Sequence, residues 1–508
     1  MDKTARKTVL RGISLSYLEF FVRLAIGLAM TPVILRYLGQ AGYGLWASLG
    51  SLVGYFGIFG GIDFAVVKYV AEYRAQGRRA DLSKLISSIL VIFGVIGGVI
   101  LLAFVALNSL IPGFFHLSPE WAPMARLTFV IMGLNLVCGL LTGVFANIIY
   151  GHERVDVQKS FTIIQVLVTN SLILLFLHLG FGLVGVAAAA TLGWLALMVS
   201  CVIYISRCHY GISVHPRFLD FKLLKEIAPY SFRTQVLALG GQVLYHTDNL
   251  VIGVILGVIT VTPYDIGCKL CFIAVTLMFR VSTTLFPSLS RLYASGDLEG
   301  LRNLYLKIAN FSVTFIIILS LFLVSCGREF IAIWVGPENV LDQGVFFVLV
   351  SLNLVHAVAG PAGQVLQAIG RNRLFTFSTL VDAILNLGLS IFLCRKIGLL
   401  GVPLGTLIAH LLTDSWVVTW LSCRYIGLSF KKYLLSGILP PLLAAVPAGA
   451  VLLFLPSLPQ VTLLSLAVKG SIISTIYLGS FLLVYYFMVR LGVIPAVRFS
   501  LRSMLELG

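Results

Sequence analysis

Charge is what this sequence has least of. Only 11% of its 508 residues are Asp, Glu, Lys or Arg, against 59% hydrophobic, and the mean hydropathy is +1.01. A water-soluble body of this size could not cover so much apolar surface with polar groups. Other absences narrow the field. No GxxxxGK[ST] run occurs, so there is no phosphate-cradling loop of an ATP-driven engine. The longest external connections, near 109–121 and 327–341, are too short for a catalytic loop. That weighs against a membrane glycosyltransferase or ligase, which would need paired acidic groups on such a loop. The eight cysteines lie in or at the ends of apolar runs. Cys268 and Cys271 have no His or second Cys pair beside them, so they read as small core residues, and no metal site is expected. The first long apolar run is a full span flanked by basic residues, unlike a cleavable signal peptide.

What is present is a series of apolar runs, each about 20 residues or longer and able to cross ~30 Å of hydrocarbon. They lack the alternation of barrel strands, so the spans are helices, the fold class is all-α and the protein is polytopic. About fourteen are expected: 11–38, 43–72, 83–108, 122–149, 157–179, 182–206, 229–256, 263–290, 303–326, 342–369, 374–394, 399–423, 433–455 and 462–489. Between the first two, LRYLGQAGYGLW (35–46) reads as a tight hairpin in which Gly39 ends one helix and Gly42-Tyr43 starts the next.

Basic residues set the expected orientation. Loops on one side carry 24 Lys and Arg, among them Arg74, Arg78, Arg79, Arg154, Arg371 and Lys431, and the other side carries three: Arg328, Arg395 and Lys396. The first side is expected to be cytoplasmic, with both termini there. The net charge of +16 is then mostly topology. Nucleic acid is not an expected partner, because no soluble domain presents these arginines.

The chain repeats itself. IIYGHERVDVQKSF from Ile148 corresponds to QAIGRNRLFTFSTL from Gln367, pairing Gly151 with Gly370 and Arg154 with Arg373. GLVGV (182–186) matches GLLGV (398–402), Tyr43-Gly44-Leu45-Trp46 matches Tyr264-Asp265-Ile266-Gly267, and the loop at 73–85 matches that at 292–304. Each repeat holds an even number of spans, so the two copies are parallel. The expected organisation is a six-helix lobe at 1–206, a basic amphipathic connector at 207–228, a second six-helix lobe at 229–425, and two extra helices with a tail at 426–508. A body of two such lobes suits alternating access.

LRYLGQAGYGLW, GIDFAVVKYVAEY after the second span, LSKL opening the third and LQAIGRNRL closing the tenth resemble the Wzx-like polysaccharide flippases. These belong to the multidrug/oligosaccharidyl-lipid/polysaccharide exporter group. The resemblance implies a transporter, not an enzyme, that flips an undecaprenyl-diphosphate-linked oligosaccharide, such as an O-antigen unit of lipopolysaccharide. Flipping would run from the cytoplasmic to the periplasmic leaflet of the bacterial inner membrane. Implied partners are that lipid-linked oligosaccharide, membrane lipid, and a polysaccharide polymerase with chain-length machinery.

Charges inside the spans mark candidate sites. Arg23 lies about 18 Å along its helix from Arg11, near mid-membrane, with Glu19 one turn earlier. A cation there costs at least ~2.5–3.5 kcal/mol unless it has a partner or faces a cavity. Both a Glu19–Arg23 structural pair and a cavity cation fit. Lys269, Thr276 and Arg280 share one face of span eight, Lys68 ends span two, and Arg233 lies near the end of span seven. Together they suggest a basic path suited to a diphosphate, with Arg offering bidentate geometry and Lys a point charge. Arg126 and Lys469 read as snorkelling cations. On span seven Gln235, Gln242, His246 and Asn249 form a polar stripe that could bind sugar hydroxyls or bind helix to helix.

Three deep carboxylates, Asp248, Asp382 and Asp414, lie in spans seven, eleven and twelve. The resemblance implies a coupling-ion site among these spans, here Asp382, Asn386, Asp248 and Thr406, holding Na⁺ or a proton. No other cofactor is expected. The competing reading is interhelical hydrogen bonding, with His410–Asp414 as a private pair. Two alternatives stand beside the flippase: a multidrug cation antiporter of the same group, which should show an acidic aromatic cavity, and a lipid II flippase.

Overall fold

The computed structural model describes residues 3–56, 62–208, 210–223, 225, 246–454 and 462–490. All regular structure among them is helical. The elements used below are α1 (Lys3–Gly54), α2 (Ile62–Ala75), α3 (Arg79–Leu107), α4 (Ala122–Gly151), α5 (Val155–His178), α6 (Gly182–Arg207) and α7 (246–255). Then follow α8 (Val258–Thr284), α9 (Phe286–Ala294), α10 (Leu298–Val335), α11 (Gln343–Ala368), α12 (Asn372–Ile397), α13 (Gly401–Leu412), α14 (Thr419–Tyr425), α15 (Leu439–Phe454) and α16 (Leu463–Arg490).

Among the described residues, eleven segments are long and apolar enough to cross a membrane. Two of them, Arg11–Gly54 and Arg373–Tyr425, each take in two of the expected spans or parts of them. Span seven begins outside the described residues, as do Arg233, Gln235, Gln242 and the C-terminal tail beyond Arg490. Large apolar side chains stand exposed along these helices, for example Leu102, Ile384 and Leu464, as lipid-facing positions require.

Within α1, Gly39 takes a left-handed φ of 66°, so two helices meet there, as the hairpin reading requires. The chain divides into two compact units, Met1–Thr262 and Pro263–Gly508. In the first, Leu45, Leu49, Phe104, Phe129 and Leu183 pack into one core, and Val66, Tyr73, Leu85, Ile86 and Phe93 into another. In the second, one large core gathers Met278, Tyr305, Ile316, Val365, Val418 and Tyr477. Tyr43 and its repeat partner Tyr264 are both fully buried.

The repeat is plainest where helices end. Two corresponding pairs of links share one construction: a left-handed residue just past a helix, then the cap of the next. They are Gly77-Arg78 (φ 68°), Glu153-Arg154 (φ 62°), Gly296-Asp297 (φ 75°) and Gly370-Arg371 (φ 75°). In each, the two N–H groups reach back to the closing turn, as Arg78 N to Tyr73 O (2.9 Å) and Arg371 N to Leu366 O (2.8 Å) do. This shifts the register read from sequence. Gly151 is the last residue of α4, and the left-handed turn comes two residues later. Glu153 therefore corresponds to Gly370 and Arg154 to Arg371, rather than Gly151 to Gly370 and Arg154 to Arg373.

The connector is fastened to α3 by serines. The backbone N–H groups of Ser213, His215 and Asp220 donate to the hydroxyls of Ser83 (3.1 Å), Ser87 (3.1 Å) and Ser88 (2.9 Å). Asp220 then caps the turn at 221–223, accepting from Lys222 N at 2.9 Å.

Candidate functional sites

In the first unit the four-residue spacing on α1 brings Arg23 Nε to 2.7 Å from Glu19 Oε1. The expected pair forms, and a third member joins from α5: Lys159 Nζ lies 3.5 Å from Glu19 Oε2. Glu19 is buried, whereas the Arg23 side chain is 54% exposed. One carboxylate thus serves two cations, and one positive charge remains over in the group. Lys68 is exposed with its ammonium 4.8 Å from the Tyr69 ring centre, a cation–π contact in the middle of α2.

His246 borders a cavity of about 370 Å³ within this unit, with Trp46, Gly50, Met132, Asn135 and Ala187. Asn135 Nδ2 has no hydrogen-bond partner among the described residues. An indole face beside an unpaired amide and an imidazole suits a sugar ring. Sequence reasoning named His246 but missed Trp46 and Asn135, which lie on other helices and share no spacing with it. Next to His246, the Tyr55 and Thr247 hydroxyls are 2.8 Å apart. Asp248 belongs to this first unit.

The second unit carries Lys269 and Arg280 on α8. Lys269 Nζ is 2.8 Å from Asp265 Oδ2, one turn away, so its charge is locally balanced. Arg280 is exposed.

A buried polar cluster lies between α11, α12 and α13. Asp382 is fully buried; its Oδ2 is 2.6 Å from His410 Nδ1, and its Oδ1 accepts from the Thr413 hydroxyl at 2.9 Å. Asp414 Oδ1 accepts from Ser378 at 2.8 Å. The private His410–Asp414 pair is therefore corrected: His410 pairs with Asp382. The cause is local. α13 breaks at Thr413 (φ −115°, ψ −88°), and a π-helical turn, Asp414–Val418, follows, which takes Asp414 out of simple four-residue register with His410. Still, Asp382, His410 and Asp414 each offer an atom within 4.8 Å of the others. Two carboxylates around one imidazole leave a place for one more positive charge.

Thr406 Oγ1 donates to Asn386 Oδ1 at 3.4 Å. That oxygen also accepts from Ser390 at 3.1 Å, so it braces α12 against α13. His356 from α11 stands edge-on to His410, ring centres 5.3 Å apart. Ser378, Thr413 and His356 were not legible as site residues, because only the helix packing unites them.

The polysaccharide biosynthesis protein family matches residues 9–293, more than half of the chain. The chain belongs to that family. Among its relatives, the uncharacterized membrane protein EpsK of Bacillus subtilis (strain 168) is 22% identical over 445 residues, 87% of this chain and 88% of EpsK. A putative O-antigen transporter of Shigella flexneri is 22% identical over 408 residues, 77% of this chain and 91% of the transporter. A solved structure of the lipid II flippase MurJ, in an inward closed conformation, matches with a TM-score of 0.67 at 15% identity, covering 95% of this chain and 100% of that one. The family member described here shares that fold, a multi-pass membrane fold, and the all-α reading of the sequence holds.

Proposed function

We propose that this protein is a transporter that flips a diphosphate-linked oligosaccharide lipid across the bacterial inner membrane, from the cytoplasmic leaflet to the periplasmic one, by alternating access. The single observation that carries the reading is the Arg23–Glu19–Lys159 group, two cations on one buried carboxylate, with Arg23 twelve residues inside an apolar segment. A cation kept there is expensive unless it has work to do, and a diphosphate is the matching anion. The cavity at Trp46, Asn135 and His246 supports a sugar on the same cargo. The Shigella relative's name and the MurJ fold support the same class. The basic count supports cytoplasmic termini.

In the second unit, the Asp382–His410–Asp414 cluster would take the coupling charge, a sodium ion or a proton. Binding there shifts the facing of the body by its differential affinity for the two states.

The test is glycan export in cells. Arg23→Ala is expected to abolish export while the protein still inserts, and Arg23→Lys to restore only part of it, since lysine lacks the planar fork. Glu19→Gln is expected to leave export largely intact if Arg23 serves the cargo. Normal export by Arg23→Ala at normal expression would overturn the reading.

A further inference from the structure

The first unit has a second cavity, a basic one, at the end assigned to the cytoplasm by the basic count and separate from the Arg23 group. About 400 Å³ in volume, it is lined by Tyr73, Arg74, Arg79, His152, Arg154 and Tyr210, among others. Four pieces of chain meet there. Tyr73 and Arg74 close α2, Arg79 opens α3, His152 and Arg154 form the link between α4 and α5, and Tyr210 comes from the connector.

The charge balance at this end is lopsided. Asp81 is taken by Arg78 at 2.8 Å, and Asp156 by Arg154 at 3.0 and 3.2 Å. Arg74 and Arg79 have no acidic partner among the described residues. His152 is buried, with its Nδ1 2.8 Å from Ile148 O, and Tyr210 stacks on its ring at 3.9 Å. Burial and the nearby Arg74 charge hold the His152 ring below its ordinary pKa. The Arg74 charge thus acts directly on the ring.

The cavity is also held in shape. The serine bonds from α3 fix the connector, and the left-handed Gly211 (φ 69°) lets that strand pass beside the Arg79 side chain, where a methyl group would come within 3.2 Å. Tyr210 is therefore a placed wall. Two unpaired guanidinium groups, a buried imidazole and tyrosine walls make a site for a planar fork-to-phosphate contact with an aromatic rim.

We infer that this cavity is a binding site for a phosphate-bearing headgroup, held by Arg74 and Arg79 and covered by Tyr210 of the connector. The phosphate has two possible sources, an anionic phospholipid of the adjoining leaflet or a diphosphate lipid. The inference does not rest on the cargo proposed above. Because the connector forms one wall, occupancy holds the connector in place.

The experiment uses the full chain in phosphatidylcholine nanodiscs, titrated with inorganic diphosphate at constant ionic strength and followed by thermal unfolding. The expected result is a saturable rise in melting temperature. The paired change Arg74→Gln with Arg79→Gln should raise the half-saturating concentration at least tenfold. Arg74→Lys with Arg79→Lys should recover part of the affinity, and Arg126→Gln, an exposed arginine elsewhere in the unit, should match the wild type. A repeat with phosphatidylglycerol in the disc separates the sources. Competition with diphosphate assigns the site to the lipid headgroup, and an unchanged curve assigns it to a diphosphate. A response without saturation, or identical curves for the wild type and the glutamine pair, would overturn the site. Neither result bears on Arg23, so the two proposals fail separately.

Discussion

The two units share a frame and differ in the sign of the charge left over in their ionic clusters. Their helix links repeat down to the left-handed residue and the cap, as at Gly77-Arg78 and Gly296-Asp297. Inside, the first unit sets two cations on one carboxylate at Glu19, and the second sets two carboxylates around one imidazole at His410. A duplicated backbone therefore carries opposite electrostatics. Backbone geometry constrains turns and caps, whereas a charge inside a span has to be matched by what binds it. On the proposed function, the contrast gives the anion to the first unit and the cation to the second.

Neutralising one charge set should leave the task of the other intact, and the largest effect is expected at Asp382. In liposomes with sodium and proton gradients imposed separately, Asp382→Asn should lose its gradient stimulation entirely while still binding cargo. Equal gradient dependence in the variant and the wild type would remove this cluster from coupling.

The second test concerns how tightly the frame is drawn. Gly401 and Gly405 let α13 pack onto the backbone of α12; a methyl on Gly401 would overlap Leu393 and Cys394, and one on Gly405 would come within 2.6 Å of Ser390 N. Backbone cannot swing aside as a side chain does. Gly401→Ala should cost about 1–3 kcal/mol, read as a lower melting temperature of the purified protein.

The smallest effect tests the corrected register. Glu153 sits left-handed where the second unit has Gly370. A side chain in that region costs roughly 1–2 kcal/mol. Glu153→Gly should raise the melting temperature by a few degrees, and Gly370→Glu should lower it. Shifts of the same sign would break the correspondence.

Much of this was legible in the sequence because it is local. Span limits follow from apolar length and flanking Lys and Arg, and the Glu19–Arg23 contact follows from a four-residue step. Lys159 was not legible as the third member, since it arrives from another helix. His410 was assigned to the wrong carboxylate because helical counting assumes an unbroken helix, and the π turn after Thr413 breaks it. Trp46 and Asn135 meet His246 only through packing. Gln235 and Gln242, named from the same stripe as His246, lie outside the described residues, as does Arg233 of the basic path.

The serine bonds from α3 to the connector have an evolutionary consequence. All three hydroxyls receive a backbone N–H, at Ser213, His215 and Asp220, so the tether recognises the chain and not its side chains. The connector can drift in composition without coming loose, and relatives are free to differ there. Proline is the exception at those three positions, because it has no N–H to give. Pro216 falls between two of the anchored residues, where the fastening does not need a donor.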